Sequence, residues 1–360
     1  MSLLAIAGLW VACSSDETLN NENREPISFR VQGGAPSLRA TGTTLGFVNA
    51  FVVNAYGDVT GIPTATPPSV ATMNGVTVYR EENNTTDVFD YNPKLYYHSA
   101  DSKVYFSAYS PISKSVNSGL KNDPNNKIDY TVIVPDKTNG NTSQEDLLVA
   151  YTAQNDLSGT TKVTLNFKHA LSRVYVKATN ETPETVVIKE LKLVNLYNRG
   201  ELKIDATSWN VATNVDINEA YKTTIATVPD YKKLWTPTGS QNNSYQYVLP
   251  ASGVAVPAGT KTRTFIVSKE QGMMILPQTT ISSSPFTEAT DFYLEVKYKL
   301  SNIEETVKIP FKDLNNLSAT GLTFEFGRQY ALNIDFKNVA IEFTVTVEDW
   351  NTPEVDLPLP

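Results

Sequence analysis

Residues 128–134 have the sequence IDYTVIV, in which Ile128, Tyr130, Val132 and Val134 fall on one face of an extended chain. An apolar side chain at every second position is the period of a half-buried strand. Similar short apolar runs, bounded by turn residues, extend in both directions and also predict strands. They are residues 46–56, 76–80, 94–98, 103–109, 146–153, 163–177, 186–196, 245–248, 264–267, 273–276, 292–300 and 307–311.

Many short strands at this spacing are typical of β-sandwiches, and no segment has the periodicity of a long amphipathic helix. One helical turn is expected at 312–318, and the polar segment 208–244 is expected to be irregular. A chain of 360 residues is long enough for two domains of ordinary size. We therefore expect an all-β protein with two β-sandwich domains in tandem, an N-terminal one at 40–170 and a C-terminal one at 171–360.

The composition argues against several function classes. A net charge of −8 gives no electrostatic attraction to nucleic acid. The two histidines, His98 and His169, have no second histidine or cysteine at ligand spacing, so no metal site is expected. No phosphate-binding loop, dinucleotide fingerprint or serine nucleophile elbow is present. We predict no cofactor and no enzymatic activity, and we expect His169 to be a hydrogen-bonded structural residue at a strand end.

The first twelve residues resemble a secretory signal. The ten apolar residues Leu3 to Ala12 are too few to span a bilayer, which takes about 20, but they have the length of a signal-peptide core. Cys13 is the only cysteine of the chain and follows Val11-Ala12, where a lipoprotein signal peptidase would leave a lipid-modified N-terminus. No Lys or Arg precedes the run, which leaves open a start codon further upstream. The prediction is a signal peptide at 1–12 and lipidation of Cys13.

Residues 13–39 are expected to combine a solvated tether with a first strand. After the polar segment that ends at Asn23, three apolar residues, Ile27, Phe29 and Val31, alternate with polar ones in the period of a strand. Glycine and proline at 33–36 end that strand, and a polar, small-residue segment around Arg39 and Ala40 follows. Such a segment is expected to be exposed and open to proteases.

Several segments resemble landmarks of the fimbrillin family, the pilus subunits of Bacteroides-type bacteria and their surface relatives. The most specific is VTLNFKHALSRV at 163–174. The others are CSSDE at 13–17, ISFRV at 27–31, LRATGTT at 38–44, FSAYSP at 106–111, DLLVA at 146–150, MILPQ at 274–278 and FGRQY at 326–330. These segments occur in the family's order over essentially the whole chain.

The resemblance implies two transthyretin-like β-sandwich domains and export to the outer membrane as a lipoprotein. For polymerising members it also implies cleavage after an arginine at the end of the first strand. The matching arginine is Arg39, and the processed chain would begin at Ala40. Removal of the strand that carries Ile27, Phe29 and Val31 would open a groove, which the C-terminal strand of a neighbouring subunit would fill.

The sequence contains a segment suited to that exchange. Ile341, Phe343, Val345 and Val347 alternate with polar residues, so an added strand could place them in the pockets of another sheet. Burial of the three apolar residues of the first strand should contribute roughly 5–8 kcal/mol before ordering costs, at about 1.5–3 kcal/mol each. The sequence leaves open whether 341–348 is a donor strand or the last strand of its own sandwich. It also leaves open whether Trp350 and the tail at 351–360 form a cap on that strand or extend the donor strand.

The sequence leads to three candidate functions. The first is a pilus subunit that polymerises with copies of itself or with other pilins and belongs to the fimbrium at the cell surface. The second is a non-polymerising adhesin of the same fold that binds a host protein or a glycan. The third, a surface glycoside hydrolase, rests only on the fact that a catalytic carboxylate pair has no sequence spacing of its own.

Overall fold

The chain folds into short β-strands, as the alternation of its apolar residues predicts. The computed structural model describes residues 26–33, 48–58, 71–80, 89–95, 103–112, 121–123, 127–136, 144–154, 162–203, 235–237, 241, 243–280, 285–311, 322–338 and 340–350. Strands of the first half are β1 Phe29–Gly33, β2 Ala50–Asp58, β3 Ala71–Arg80, β4 Phe89–Asp90, β5 Lys103–Ser110, β6 Lys121–Asp123, β7 Lys127–Thr131, β8 Leu148–Gln154 and β9 Val163–His169. Those that follow are β10 Ser172–Asn180, β11 Val186–Leu196, β12 Arg199–Lys203, β13 Trp235–Pro237, β14 Asn243–Gln246, β15 Val254–Val256, β16 Thr260–Val267, β17 Met273–Ile275, β18 Gln278–Thr279, β19 Tyr293–Leu300, β20 Ile303–Pro310, β21 Thr323–Phe324, β22 Arg328–Phe336 and β23 Ile341–Asp349.

The strands form several sheets, three of which matter most here. A seven-stranded sheet has the order β1-β9-β8-β5-β2-β3-β4, with β1 at its edge. A second sheet has the order β16-β10-β22-β23, with β17 also paired to β10, and β23 lies at its edge. A third has the order β14-β11-β19-β20, with β15 also paired to β11. Smaller sheets join β13-β12-β7-β6 and β18-β21.

Two apolar cores hold these sheets together. The N-terminal core contains residues of β1, β2, β5 and β9, among them Phe29, Phe51, Phe106 and Phe167. The C-terminal core contains residues of β10, β11, β19, β22 and β23. The all-β class is thus confirmed, while the transthyretin-like division into domains at 40–170 and 171–360 stays a prediction.

Strand β8 belongs to both cores because successive residues of a strand point to opposite faces. Leu148 and Ala150 pack in the N-terminal core, whereas Val149 and Tyr151 pack in the C-terminal core. The segment 128–134 follows the predicted alternation, since its first three apolar residues are buried and Val134 is partly buried. Its buried face contributes to the C-terminal core.

Two of the predicted strands differ from the structure. The run 163–177 is two strands, because the chain turns at Ala170 and Leu171, where the Ala170 N–H donates to the Leu147 carbonyl (2.7 Å) and the chain passes from the N-terminal to the C-terminal core. The strand predicted at 94–98 is wrong for Lys94 and Leu95, which follow a bend at residues 92–93. The predicted helical turn at 312–318 and most of 208–244 lie outside the described residues.

Candidate functional site

Strand β1, which carries two of the three residues predicted for the removable strand, lies along the edge of the seven-stranded sheet. It runs parallel to β9, with a register from Phe29 opposite Val163 to Gly33 opposite Phe167. The Val163 N–H also donates to the Ser28 carbonyl (2.8 Å). An edge strand has one neighbour in its sheet, so β1 can leave without separating two other strands.

The apolar side chains of this segment point into the N-terminal core. Phe29 is 1% exposed, and its ring makes edge-on contacts with Phe51 at 5.7 Å and with Phe106 and Tyr91 at 5.9 Å between centroids. Ile27 is also buried, and its carbonyl accepts a hydrogen bond from the Tyr91 hydroxyl (2.8 Å). These aromatic rings form a slot for the first strand, which we call the β1 slot.

The candidate donor strand, β23, is the edge strand of its own sheet. It pairs antiparallel with β22 over its whole length, from Ile341 opposite Phe336 to Asp349 opposite Arg328. Phe343 and Val345 are buried in the C-terminal core and Ile341 packs against it, whereas Val347 is 45% exposed. In this structure, 341–349 is therefore an edge strand of its own sheet, with nearly half of the Val347 side chain left in solvent.

Trp350, the residue after β23, is held between the imidazole ring of His169 and the guanidinium group of Arg173. It is 7% exposed, and its ring stacks on His169 with 4.2 Å between centroids and an interplanar angle of 3°. The guanidinium carbon of Arg173 lies 4.8 Å from the centroid of the Trp350 ring, which is within cation–π range. We call the three residues His169, Arg173 and Trp350 the Trp350 clasp.

Polar side chains connect the clasp to the end of β23. Arg173 Nη2 donates to Gln329 Oε1 (2.8 Å), and Gln329 Nε2 donates to Glu348 Oε2 (3.2 Å) and to the Asp349 carbonyl (3.0 Å). Lys269 Nζ lies 3.0 Å from the same Glu348 oxygen. Burial lowers the pKa of Arg173, while nearby carboxylates act in the opposite direction. Because an arginine stays protonated in proteins, the ring of Trp350 faces a positive charge.

His169 is the last residue of β9, and its Nδ1 contacts Asp146 Oδ2. Both side chains are almost fully buried. This agrees with the sequence prediction of a hydrogen-bonded structural histidine at a strand end. The contact fixes the plane of the imidazole, and with it the surface on which Trp350 stacks.

Four of the family landmarks meet at the clasp. Asp146 belongs to DLLVA, and His169 and Arg173 belong to HALSRV. Arg173 is opposite Met274 of MILPQ in the pairing of β10 with β17, and it bonds to Gln329 of FGRQY. Gly327, in the same FGRQY segment, has a φ of +67°, and a Cβ there would lie 3.2 Å from the His169 carbonyl oxygen. The landmarks therefore share one location in the fold.

The predicted site residues have mixed outcomes. Ile27, Phe29 and Val31 lie together in or beside β1, and Ile341, Phe343, Val345 and Val347 lie on one strand, β23. Cys13, Arg39 and Ala40 lie outside the described residues, so lipidation and processing stay predictions. The sequence alone predicted no role for Asp146, Arg173 or Gln329. Their only sequence signal was membership of the recognised motifs.

The described ranges contain no cluster of three His, Cys, Asp or Glu side chains that could hold a metal ion. In the same part of the chain, no helix has the length and apolar character needed to cross a bilayer.

Comparison with known proteins gives the following matches. The family model described as fimbrillin-like matches residues 39–350. No curated protein sequence matches the chain. Among solved structures, a fimbrial protein from Bacteroides vulgatus aligns with a TM-score of 0.57 at 16% identity, over 90% of this chain and 99% of that one. The tip fimbrial protein Mfa3 from Porphyromonas gingivalis, with a C-terminal truncation, aligns with a TM-score of 0.45 at 8% identity, over 90% and 99% of the two chains.

Proposed function

The chain belongs to the fimbrillin-like family, and from this premise we propose that it is a structural and adhesive subunit of a surface pilus. In this proposal it is exported as a lipoprotein with lipid on Cys13, which tethers it to the outer membrane. Cleavage after Arg39 then removes β1, and the C-terminal strand of a neighbouring subunit takes the place of β1. Its partners are other pilin subunits, of the same or another kind.

The observation that carries the proposal is that β1 fills the apolar β1 slot at the edge of its sheet. Loss of β1 would leave one edge of β9 unpaired along residues 163–167 and would uncover Phe51, Phe106 and Tyr91. An unpaired strand edge beside an apolar slot favours the addition of another strand. The matched family region begins at Arg39, so β1 lies outside it and β23 lies within it.

The exposure of β23 supports its role as the donor. In its own sheet it buries Phe343 and Val345 but leaves Val347 45% exposed. If all four alternating apolar residues enter the β1 slot of a neighbour, β23 also buries Val347, which stays partly exposed when β23 remains in its own sheet. Because only 45% of Val347 remains to be buried, that extra burial favours the polymer by about 0.7–1.4 kcal/mol.

Substitution of the cleavage residue tests the proposal on cells. We expect Arg39→Ala to abolish high-molecular-weight surface material in immunoblots of samples that have not been boiled. Arg30→Ala is the matched control, because Arg30 is an exposed arginine of β1, and it should assemble like the wild type. Normal assembly of Arg39→Ala would contradict the proposal.

A non-polymerising adhesin is the second candidate, and one surface feature favours it. Tyr79 is 52% exposed beside an open groove that is also lined by Thr77, Asp90 and Asn92. An aromatic face next to hydrogen-bonding side chains is suited to a sugar ring. A glycan array probed with monomeric protein tests this function. Binding that Tyr79→Ala abolishes would support it, and the absence of binding by the wild type would argue against it.

A further inference from the structure

Strand β9 contacts both of the segments on which the proposed assembly depends. Along one edge, residues 163–167 pair with β1. At its end, His169 provides the surface on which Trp350 stacks, immediately after β23. Only Lys168 separates the last residue paired with β1 from the residue that holds Trp350. The strand to be removed and the strand to be donated are therefore anchored on one element.

We propose that β1 keeps the Trp350 clasp closed, so that removal of β1 releases β23 for donation. This inference rests on the proposed function and adds regulation to it. In the intact chain, β1 fixes β9, β9 together with Asp146 fixes His169, and His169 together with Arg173 fixes Trp350. The subunit then becomes an acceptor and a donor in the same step, and an uncleaved subunit has neither an open slot nor a free strand.

The hydrogen-bond pattern of β9 links the loss of β1 to the position of His169. On one edge of β9, residues 163–167 pair with β1. On its other edge β9 adjoins β8, where residues 168 and 169 pair with Val149 and Leu148. Loss of β1 makes β9 an edge strand along residues 163–167 and empties the β1 slot, where the Phe167 ring packs on Phe51 at 5.6 Å between centroids. Segments with fewer buried contacts and exposed backbone hydrogen bonds open more often. The end of β9 that carries His169 is then less firmly placed.

The clasp is the part of β23 most sensitive to such a shift. The His169 and Trp350 rings are nearly parallel at 4.2 Å, so a small displacement of β9 breaks the stack. Beyond the clasp, the end of β23 is held by Gln329 and Lys269 through Glu348 and by the ion pair of Arg328 with Asp349. Opening of the clasp therefore weakens β23 from its C-terminal end, and the strand can peel away from β22.

Coupling between two sites is reciprocal at equilibrium. If loss of β1 weakens the clasp, loss of the clasp must weaken the seating of β1 by the same factor. Substitution of Trp350 in the intact chain should thus make β1 leave its slot more readily, although Trp350 does not belong to the N-terminal core.

Amide hydrogen exchange followed by mass spectrometry tests the coupling in purified monomers. Two chains are compared, the full chain with Cys13→Ser and the same chain processed to begin at Ala40. We expect amides of 341–349 to exchange at least about tenfold faster without β1, within the range of typical coupling factors. Trp350→Ala in the full chain should reproduce the faster exchange of β23, and Trp350→Phe, which keeps a stacking ring, should restore most of the protection.

A second variant covers the case in which the processed chain does not fold. Phe29→Ala in the full chain weakens the seating of β1 without cleavage, and it should also accelerate exchange in 341–349. Val76→Ala, at a half-buried residue packed against the N-terminal core, is the matched control and should leave β23 unchanged. Exchange in β23 that stays the same after loss or weakening of β1, while exchange in β9 rises, would overturn the coupling.

The exchange experiment and the cell experiment fail in different ways. Assembly of Arg39→Ala on cells contradicts the proposed function and says nothing about exchange in monomers. Unchanged exchange in β23 contradicts the coupling even where polymers form, since donation would then proceed without a signal from β1.

Discussion

Trp350 is a residue whose place in the unassembled chain the sequence leaves open. From sequence, it could either cap the C-terminal strand or extend a donor. In the structure it is a cap, because its ring is buried between His169 and Arg173 and its N–H donates to the Gly327 carbonyl (3.3 Å). The sequence could not reveal this, since the three residues of the clasp meet only through the pairing of distant strands.

Phe29 should dominate the seating of the first strand. We expect Phe29→Ala to lower the free energy of unfolding of the N-terminal core by about 3–5 kcal/mol, as is usual for a buried phenylalanine. This free energy can be measured by urea unfolding, with amide exchange or proteolysis of the N-terminal segment as the readout. Arg30→Ala removes an exposed neighbour on the same strand and should change the free energy by less than about 0.5 kcal/mol. Equal effects of the two variants would mean that the β1 slot is not a packed core.

Glu325, beside the Gly327 turn, should give the chain a pH-dependent stability. Burial raises the pKa of this carboxyl, and Arg328 acts in the opposite direction. A folded-state pKa above the unfolded value means that the folded chain binds the proton more tightly, so stability falls as pH rises above the ordinary carboxyl range. Glu325→Gln should therefore raise the urea midpoint at pH 7 and have little effect at about pH 4.

Glu184→Gln, at an exposed position, is the control for that measurement and should leave the midpoint unchanged at both pH values. A Glu325→Gln variant that is less stable than the wild type at pH 7 would show that the attraction of Arg328 outweighs the cost of burial.

At the scale of elements, alternation predicted most strands well because a strand with one buried face must repeat every two residues. It failed at 163–177, where the apolar pattern continues through Ala170 and Leu171 although the chain changes sheets there. Both residues are buried in the C-terminal core, so their apolar character gives no sign of a break. The break depends on contacts with Leu147 and Gly327, which are remote in sequence.

The place of β23 in its own sheet and its proposed role as a donor strand can be separated by substitution on the strand. Val347→Asp should change monomer stability by at most about 1 kcal/mol, because nearly half of the side chain is already in solvent. It should nevertheless abolish polymer formation, because it would place a charge in the slot of the neighbour. Phe343→Ala should destabilise the monomer itself by about 3–5 kcal/mol. Urea unfolding and size-exclusion chromatography of processed chains give the two readouts. Polymers formed normally by Val347→Asp would mean that another segment is the donor.

At the scale of the whole molecule, the sequence predicted an all-β chain and the two strands that the proposed assembly uses, but it could not predict how the cores share residues. The segment 128–132 and alternate residues of β8 join the C-terminal core although they precede the predicted boundary. Periodicity reports that a face is buried and not which partner buries it. For the same reason, the sequence motifs at 146–150, 163–174 and 326–330 gave a family resemblance without revealing that they surround one tryptophan.

The central claim is that the first strand is removed and the processed chain polymerises. Its most direct test is the N-terminal peptide of the protein recovered from the cell surface, identified by mass spectrometry. The proposal predicts a peptide that begins at Ala40, found in high-molecular-weight material. Recovery of only a lipidated Cys13 terminus, in monomeric protein, would contradict the claim and would direct the search to a ligand for the Tyr79 groove.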